Sequence, residues 1–231
     1  IRPRRGSFVN DYHARTQLMG TKSIIHKASG VVNQWLLKWV REAGAGNLLA
    51  GGRICAPFIG GAIVLLGIVT VWFVPERTTA NDVPRTRRIS LWAGWRETMA
   101  VPDFRRLVIA QTLIYMGFLV VDTTGFYLNV FYVNGGDMGV GATMKGWYGM
   151  AFQVSGMLSV PLIVKISRRI GKKQTFLLCT LTIALGGVAK WFCYTPGAGY
   201  WLMLPSVLMG PGLVAVMVLA PSMAADICDL D

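Results

Sequence analysis

Charge is scarce in this chain of 231 residues: 15% are Asp, Glu, Lys or Arg, against 53% hydrophobic. With a mean hydropathy of +0.48, it carries more apolar surface than a soluble domain of this length could bury, so lipid must cover the excess. Acid is scarcer still, with 11 Asp and Glu against 23 Lys and Arg, for a net charge of +12. In a soluble chain that balance would suggest nucleic acid. Here no basic patch with interleaved aromatics occurs outside the connecting segments, and the positive charge flanks apolar stretches, where it faces anionic headgroups; nucleic acid is excluded as a partner. Only four cysteines occur, Cys55, Cys179, Cys193 and Cys228, in or beside apolar stretches and without a CxxC pair. They read as buried thiols, with neither disulfide nor metal site. GxSxG, P-loop, HExxH and strand-to-helix GxGxxG signatures are also missing, so no catalytic residue is nominated and no cofactor is expected. The chain starts at Ile1, without an initiator Met or signal peptide, and stops at Asp231 directly after an apolar stretch. On that reading it is a fragment cut at both ends.

What is present is a series of long apolar stretches at 24–40, 54–74, 107–133, 147–164, 174–194 and 201–225. A hydrocarbon core about 30 Å thick takes about 20 helical residues. Four stretches meet that length, and 147–164 is anchored by Trp147 and Tyr148 at one end and Lys165 at the other. The first is interrupted by His26, Lys27, Asn33, Gln34 and Lys38, and alone could equally lie on the membrane surface. Charge sorting decides for a crossing. Of the 23 basic residues, 17 lie in segments 1–22, 75–106 and 165–173, on every second connection. Lys and Arg are retained on the cytoplasmic side, so six crossings place these segments, and both ends of the chain, in the cytoplasm. Single crossings require helices, since backbone groups in lipid must be satisfied within their own segment. The expected fold is therefore an all-α, polytopic helical bundle with six transmembrane helices. Segment 75–106 divides it into 1–74, with two spans, and 107–231, with four. Within the divider, Trp92, Trp95 and Met99 recur at helical spacing over 89–100, predicting a short interfacial helix. Glycines such as Gly60, Gly61, Gly117, Gly149, Gly156 and Gly186 allow close helix contact.

Polar residues inside spans are functional candidates by default. Lys22, His26, Ser29 and Asn33 are spaced by four, three and four, with Gln34 and Lys38 beside them. Tyr115, Asp122 and Asn129 follow Gln111 on one face of the third span, with Thr123 and Thr124 adjacent. Each stripe fits either interhelical hydrogen bonding or the wall of a hydrophilic cavity for a hydroxyl-rich solute, with Tyr115, Tyr127 or Trp35 able to stack on an apolar sugar face. Gly210-Pro211-Gly212 predicts a kink in the last span. The span's end carries Asp226, Asp229 and Asp231, where the helix dipole disfavours negative charge. Arg15, Arg168 and Arg169 lie on the same side by the topology above, so the alternatives are a solvated acidic turn and an ionic gate closing that side.

Three motifs point to a family. Asp11-Tyr12-His13-Ala14-Arg15-Thr16, the loop Ser167-Arg168-Arg169-Ile170-Gly171-Lys172-Lys173, and Pro221-Ser222-Met223-Ala224-Ala225-Asp226-Ile227-Cys228-Asp229 resemble the glycoside-pentoside-hexuronide:cation symporters of the major facilitator superfamily, as does Phe104-Arg105-Arg106-Leu107. The resemblance implies helices five to ten of a twelve-helix transporter, two bundles rocking around a central sugar site, and uptake coupled to Na⁺, H⁺ or a related monovalent cation. It implies pairing of Arg15 with Asp226 and Asp229, and a sugar-contacting position at Lys22 or Ser23. The family's cation carboxylates lie on its helices two and four, which this chain does not include. It further implies a multi-pass protein of the cell membrane, monomeric when full length, with lipid, a small solute and a cation as partners. A lipid-transporting branch shares the architecture, and a six-helix channel or membrane scaffold is the alternative outside it.

Overall fold

The computed structural model describes residues 12–73 and 90–228, with the backbone alone for residues 12–17, 91 and 228. Every regular element among the described residues is helical: α1 (Tyr12–Gln34), α2 (Leu36–Ala43), α3 (Leu48–Phe73), α4 (Leu91–Ala100), α5 (Pro102–Tyr127), α6 (Met138–Ile170), α7 (Lys172–Cys193) and α8 (Met203–Cys228). A turn of π-helix, Leu128–Val133, extends α5, and a 3₁₀ turn, Gly199–Leu202, leads into α8. Counting these extensions, five helical segments among the described residues are long and apolar enough to cross a bilayer: Leu48–Phe73, Pro102–Val133, Met138–Ile170, Lys172–Cys193 and Gly199–Ile227. The protein is a polytopic helical membrane protein.

The first expected span differs. The stretch 24–40 is not one helix: α1 begins at Tyr12, ends at Gln34, and a separate amphipathic α2 starts at Leu36. α1 is 23 residues long, enough to cross, yet it is not apolar enough to count with the other five. Its polar content has a place in protein rather than lipid, since Ser23 and Lys27 are buried. The fourth expected span is longer than its apolar run suggests. α6 has 33 residues, about 50 Å of helix at 1.5 Å per residue, and extends well before Trp147.

The chain forms two compact units, Trp39–Val101 and the combination of Ile1–Lys38 with Pro102–Asp231. In the smaller unit α3 presents apolar side chains outward along its length, among them Phe58, Val71, Trp72 and Phe73, as a lipid-facing helix would. A short helix, α4, stands where one was expected over 89–100, with Trp92 and Trp95 exposed.

In the larger unit α8 is the axis: Val214, Ala215, Val218 and Leu219 have no exposure at all. Their cluster takes in Val160 and Ile163 of α6 and Phe176 and Cys179 of α7. Gly210 and Gly212 permit this double contact. A Cβ at Gly210 would strike the Phe152 carbonyl and Ser155 of α6, and one at Gly212 would strike the Cys179 carbonyl and Ile183 of α7. The Gly-Pro-Gly sequence lies inside a helix assigned without interruption from Met203 to Cys228, so its glycines admit two neighbours to one backbone, while Pro211 removes one ladder donor. α6 starts with Asp137 capping the amides of Gly139 and Val140 at 2.7 and 3.2 Å. It ends at Gly171, whose φ of +89° suits only glycine and turns the chain directly into α7.

Candidate functional site

The site begins with which face of α1 meets the bundle. Ser23, Lys27, Gly30 and Gln34 repeat at four, three and four, one position on from the stripe Lys22, His26, Ser29 and Asn33. The structure turns the former inward: Ser23 and Lys27 are buried, whereas Lys22, His26, Ser29 and Asn33 are exposed. α6 receives this face on glycines. A Cβ at Gly146 would run into Trp35, one at Gly149 into Gln34, one at Gly156 into Lys27, and Gln153 fills the space opposite Gly30. Long polar side chains of α1 thus lie across bare backbone of α6.

Lys27 is 1% exposed and its Nζ sits 4.3 Å from the centre of the Phe152 ring. It makes no ion pair among the described residues. A lysine at the centre of a membrane helix costs roughly 2.5–3.5 kcal/mol on insertion scales, and a desolvated cation–π contact returns about 2 kcal/mol. The balance is tolerable only beside water or a polar ligand, and Lys27 does line a cavity of about 210 Å³. Other walls are Asp122 of α5, Lys145, Tyr148 and Gln153 of α6, Lys190 of α7, and Ser206 and Met209 of α8.

At its side Lys145 Nζ donates to both oxygens of Asp122 at 3.1 Å and lies 5.2 Å from the Tyr148 ring centre. The same ion pair borders a second pocket of about 400 Å³, lined by Asn33, Gln34, Thr123 and Tyr127. Phe118 and Phe152 stack with centroids 5.5 Å apart, giving the inner cavity an aromatic wall. Tyr148 Oη and Gln153 Oε1 are buried without a hydrogen-bond partner among the described residues, two polar atoms at this cavity that a solute hydroxyl could satisfy.

Of the residues nominated from sequence, Asp122 stands between the two pockets, His26 lines the inner one and Asn33 the outer one. Lys22 lines neither, being on the exposed face. Tyr115 packs against the apolar α6–α7–α8 cluster instead. Asn129 is fully buried, donates to the Gly141 carbonyl at 2.8 Å, and accepts from Asn134 at 3.0 Å. It ties the π turn to the start of α6. Of the proposed stacking aromatics, Trp35 meets Trp147 edge-on at 5.2 Å, and Tyr127 stacks on Phe131 beside the outer pocket.

Sequence reasoning missed Lys27, Lys145, Lys190 and Gln153 as site residues. Lys145 fell outside the expected span 147–164, and only the true length of α6 brings it in. Lys190 had a signal, a lone cation near the end of the apolar stretch 174–194.

At the Gly171 end, Asp226 accepts from Lys172 Nζ at 2.6 Å, with the Lys172 side chain only 3% exposed. The expected partners Arg168 and Arg169 are exposed and make no ion pair among the described residues. The reason is geometric: they end α6 on its outer side, while Lys172 opens α7 on the side facing α8. Asp229 and the side chain of Arg15 lie outside the described residues. Among the described residues no group of three or more His, Cys, Asp or Glu could hold a metal ion.

A membrane-embedded helical bundle with a polar, ion-paired cavity is compatible with passage of a solute. The chain belongs to the family described as MFS/sugar transport protein, whose model matches residues 6–231, so it is a transporter of the major facilitator kind. No curated protein and no solved structure matches it.

Proposed function

We propose that the protein carries a hydroxyl-rich solute, a sugar in the first instance, in symport with a monovalent cation, Na⁺ or H⁺, by alternating access across the cell membrane. The observation that carries this reading is the inner cavity: Asp122, Lys145, Gln153 and Tyr148 offer charged and hydrogen-bonding groups beside the Phe118–Phe152 stack in an otherwise apolar bundle. Polar groups fix hydroxyl orientation, and an aromatic face covers the apolar side of a sugar ring. Lys172 and Asp226, rather than Arg168 or Arg169, are the described pair suited to the gate. Arg15 and Asp229 stay in the proposal as its remaining members. On this reading the basic Gly171 end is cytoplasmic and the full-length protein works as a monomer.

The test is uptake of a panel of radiolabelled sugars into proteoliposomes containing the full-length protein, with and without Na⁺ and pH gradients. Accumulation of at least one sugar against its gradient is expected, with Asp122→Asn lowering it at least tenfold, the equivalent of about 1.4 kcal/mol. Downhill flux only would favour a channel, and no flux would leave a scaffold. A second reading has its own observation. An apolar groove of about 600 Å³, lined by Val120, Leu128, Tyr132 and Trp191, meets Lys190, a geometry suited to a lipid tail and headgroup; lipid flux without sugar flux would select it.

A further inference from the structure

The two polar pockets meet at one wall. The outer one, of about 400 Å³, has Asn33, Thr123 and Tyr127 around it, and the inner one, of about 210 Å³, has Lys27, Gln153 and Ser206. Three residues line both: Gln34 of α1, Asp122 of α5 and Lys145 of α6. The wall therefore takes one side chain from each of three helices. Its closing contact is the bridge from Lys145 Nζ to both Asp122 oxygens at 3.1 Å. Gln34 is held differently, against the bare backbone of Gly149, where a Cβ would strike its amide. Gln34 is thus the fixed part of the wall, and the ion pair is the part that can open.

Two observations make the pair a movable contact. The Lys145 and Asp122 side chains are 19% and 44% exposed, and an ion pair still within reach of water costs far less to break than a fully buried one, whose separated charges lie uncompensated. Each partner also has a second contact on the inner side. Lys145 Nζ already lies 5.2 Å from the Tyr148 ring centre, a cation–π contact that does not need the carboxylate. The Tyr148 hydroxyl, buried and without a hydrogen-bond partner among the described residues, is a donor for Asp122 once Lys145 has left.

We propose that the Asp122–Lys145 pair is an internal door between the outer pocket and the inner cavity, and that a polar solute passes when Lys145 swings off Asp122 toward Tyr148. The outer pocket is then an entry subsite for the same hydroxylated solute, with Asn33, Gln34 and Thr123 for its hydroxyls and Tyr127 for its ring face. The inference rests on the solute-carrier reading above and adds to it a route and a control point.

The experiment reads access instead of transport. In the full-length protein, freed of native cysteines and reconstituted in proteoliposomes, Thr123→Cys reports the outer pocket and Ser206→Cys the inner cavity. Two impermeant methanethiosulfonates, one cationic and one anionic, are added from the side on which α5 ends. Asp122→Ala and Lys145→Ala are each expected to speed modification of Ser206→Cys about fivefold or more with both reagents, the equivalent of about 1 kcal/mol, while Thr123→Cys stays within about twofold. Exchanging the charges, with Asp122→Lys and Lys145→Asp together, should bring the rate back toward that of the native pair. Rates that rise with one reagent and fall with the other would report only a changed local potential, and rates that rise equally from the opposite side would report only a loosened bundle. Either result overturns the door. Uptake of the radiolabelled sugar panel in the same vesicles separates this inference from the one it rests on. Uptake with an unchanged Ser206→Cys rate rejects the door and leaves the carrier, whereas the expected labelling without uptake of any sugar keeps the door and removes the sugar carrier.

Discussion

At the residue scale, the informative side chains are those whose charge has somewhere to go. Asp226 goes to Lys172 at 2.6 Å, and the consequence differs from what the run of basic residues around it suggests. Lys172→Ala and Asp226→Ala should slow initial uptake to a similar degree, while Arg168→Gln, which touches neither partner, should leave it within twofold, in line with the small effect of surface charges; stopped-time uptake in proteoliposomes decides this, and an Arg168→Gln defect as large as that of Asp226→Ala would reject the assignment. The motif around Asp226 was legible in the sequence and its partner was not. Arg168, Arg169, Lys172 and Lys173 are four cations within six residues, and only the turn at Gly171 determines which of them faces α8. Asp122 was legible because a carboxylate in a long apolar run is costly unless compensated. Lys145, its compensator 23 residues along the chain, has no local signature.

At the element scale, the helices were legible and their faces only in part. α5, α7 and α8 lie close to the apolar stretches that predicted them. α1 shows the limit: two adjacent stripes, 22, 26, 29, 33 and 23, 27, 30, 34, have identical spacing and similar polarity, so periodicity alone cannot choose between them. Complementarity across the interface makes the choice, since Lys27 and Gln34 fit the glycines of α6. This predicts unequal responses to the same mutation. Gly156→Leu would push a side chain into Val214, the Gly210 carbonyl and Lys27, where a Cβ already meets them at 3.0–3.3 Å, and should cost roughly 1–3 kcal/mol as overpacking does. Gly117→Leu, with nothing within 4 Å of its Cβ, should be neutral or stabilising because leucine favours helix over glycine by up to about 1 kcal/mol. Thermal unfolding in detergent compares them, and equal losses would show that the packing of α6 against α8 and α1 around Gly156 is wrong.

At the scale of the whole molecule, composition and charge sorting established a polytopic helical protein. The sixth expected crossing is not among the five helices long and apolar enough to span; α1 instead carries a polar face that packs on α6 and α8. Topology is open to direct measurement. With a cysteine at Lys173 or at Thr195, at opposite ends of α7 and both exposed, in a background lacking native cysteines, an impermeant maleimide should label Lys173→Cys only from the cytoplasmic side and Thr195→Cys only from the other; labelling of both from one side would overturn the orientation.

The placement of Lys27 also sets a problem in time. α1 is complete about a hundred residues before α6 begins, and the buried middle of α8 is made later still. At about 5–20 residues per second, the ribosome delivers the glycine surface that shelters Lys27 many seconds after Lys27 itself. During that interval Lys27 has neither the α6 glycines nor α8 beside it, and its ammonium needs another polar partner. Lys27 therefore reaches its final packing only once α6 and α8 have been made, despite the early synthesis of α1.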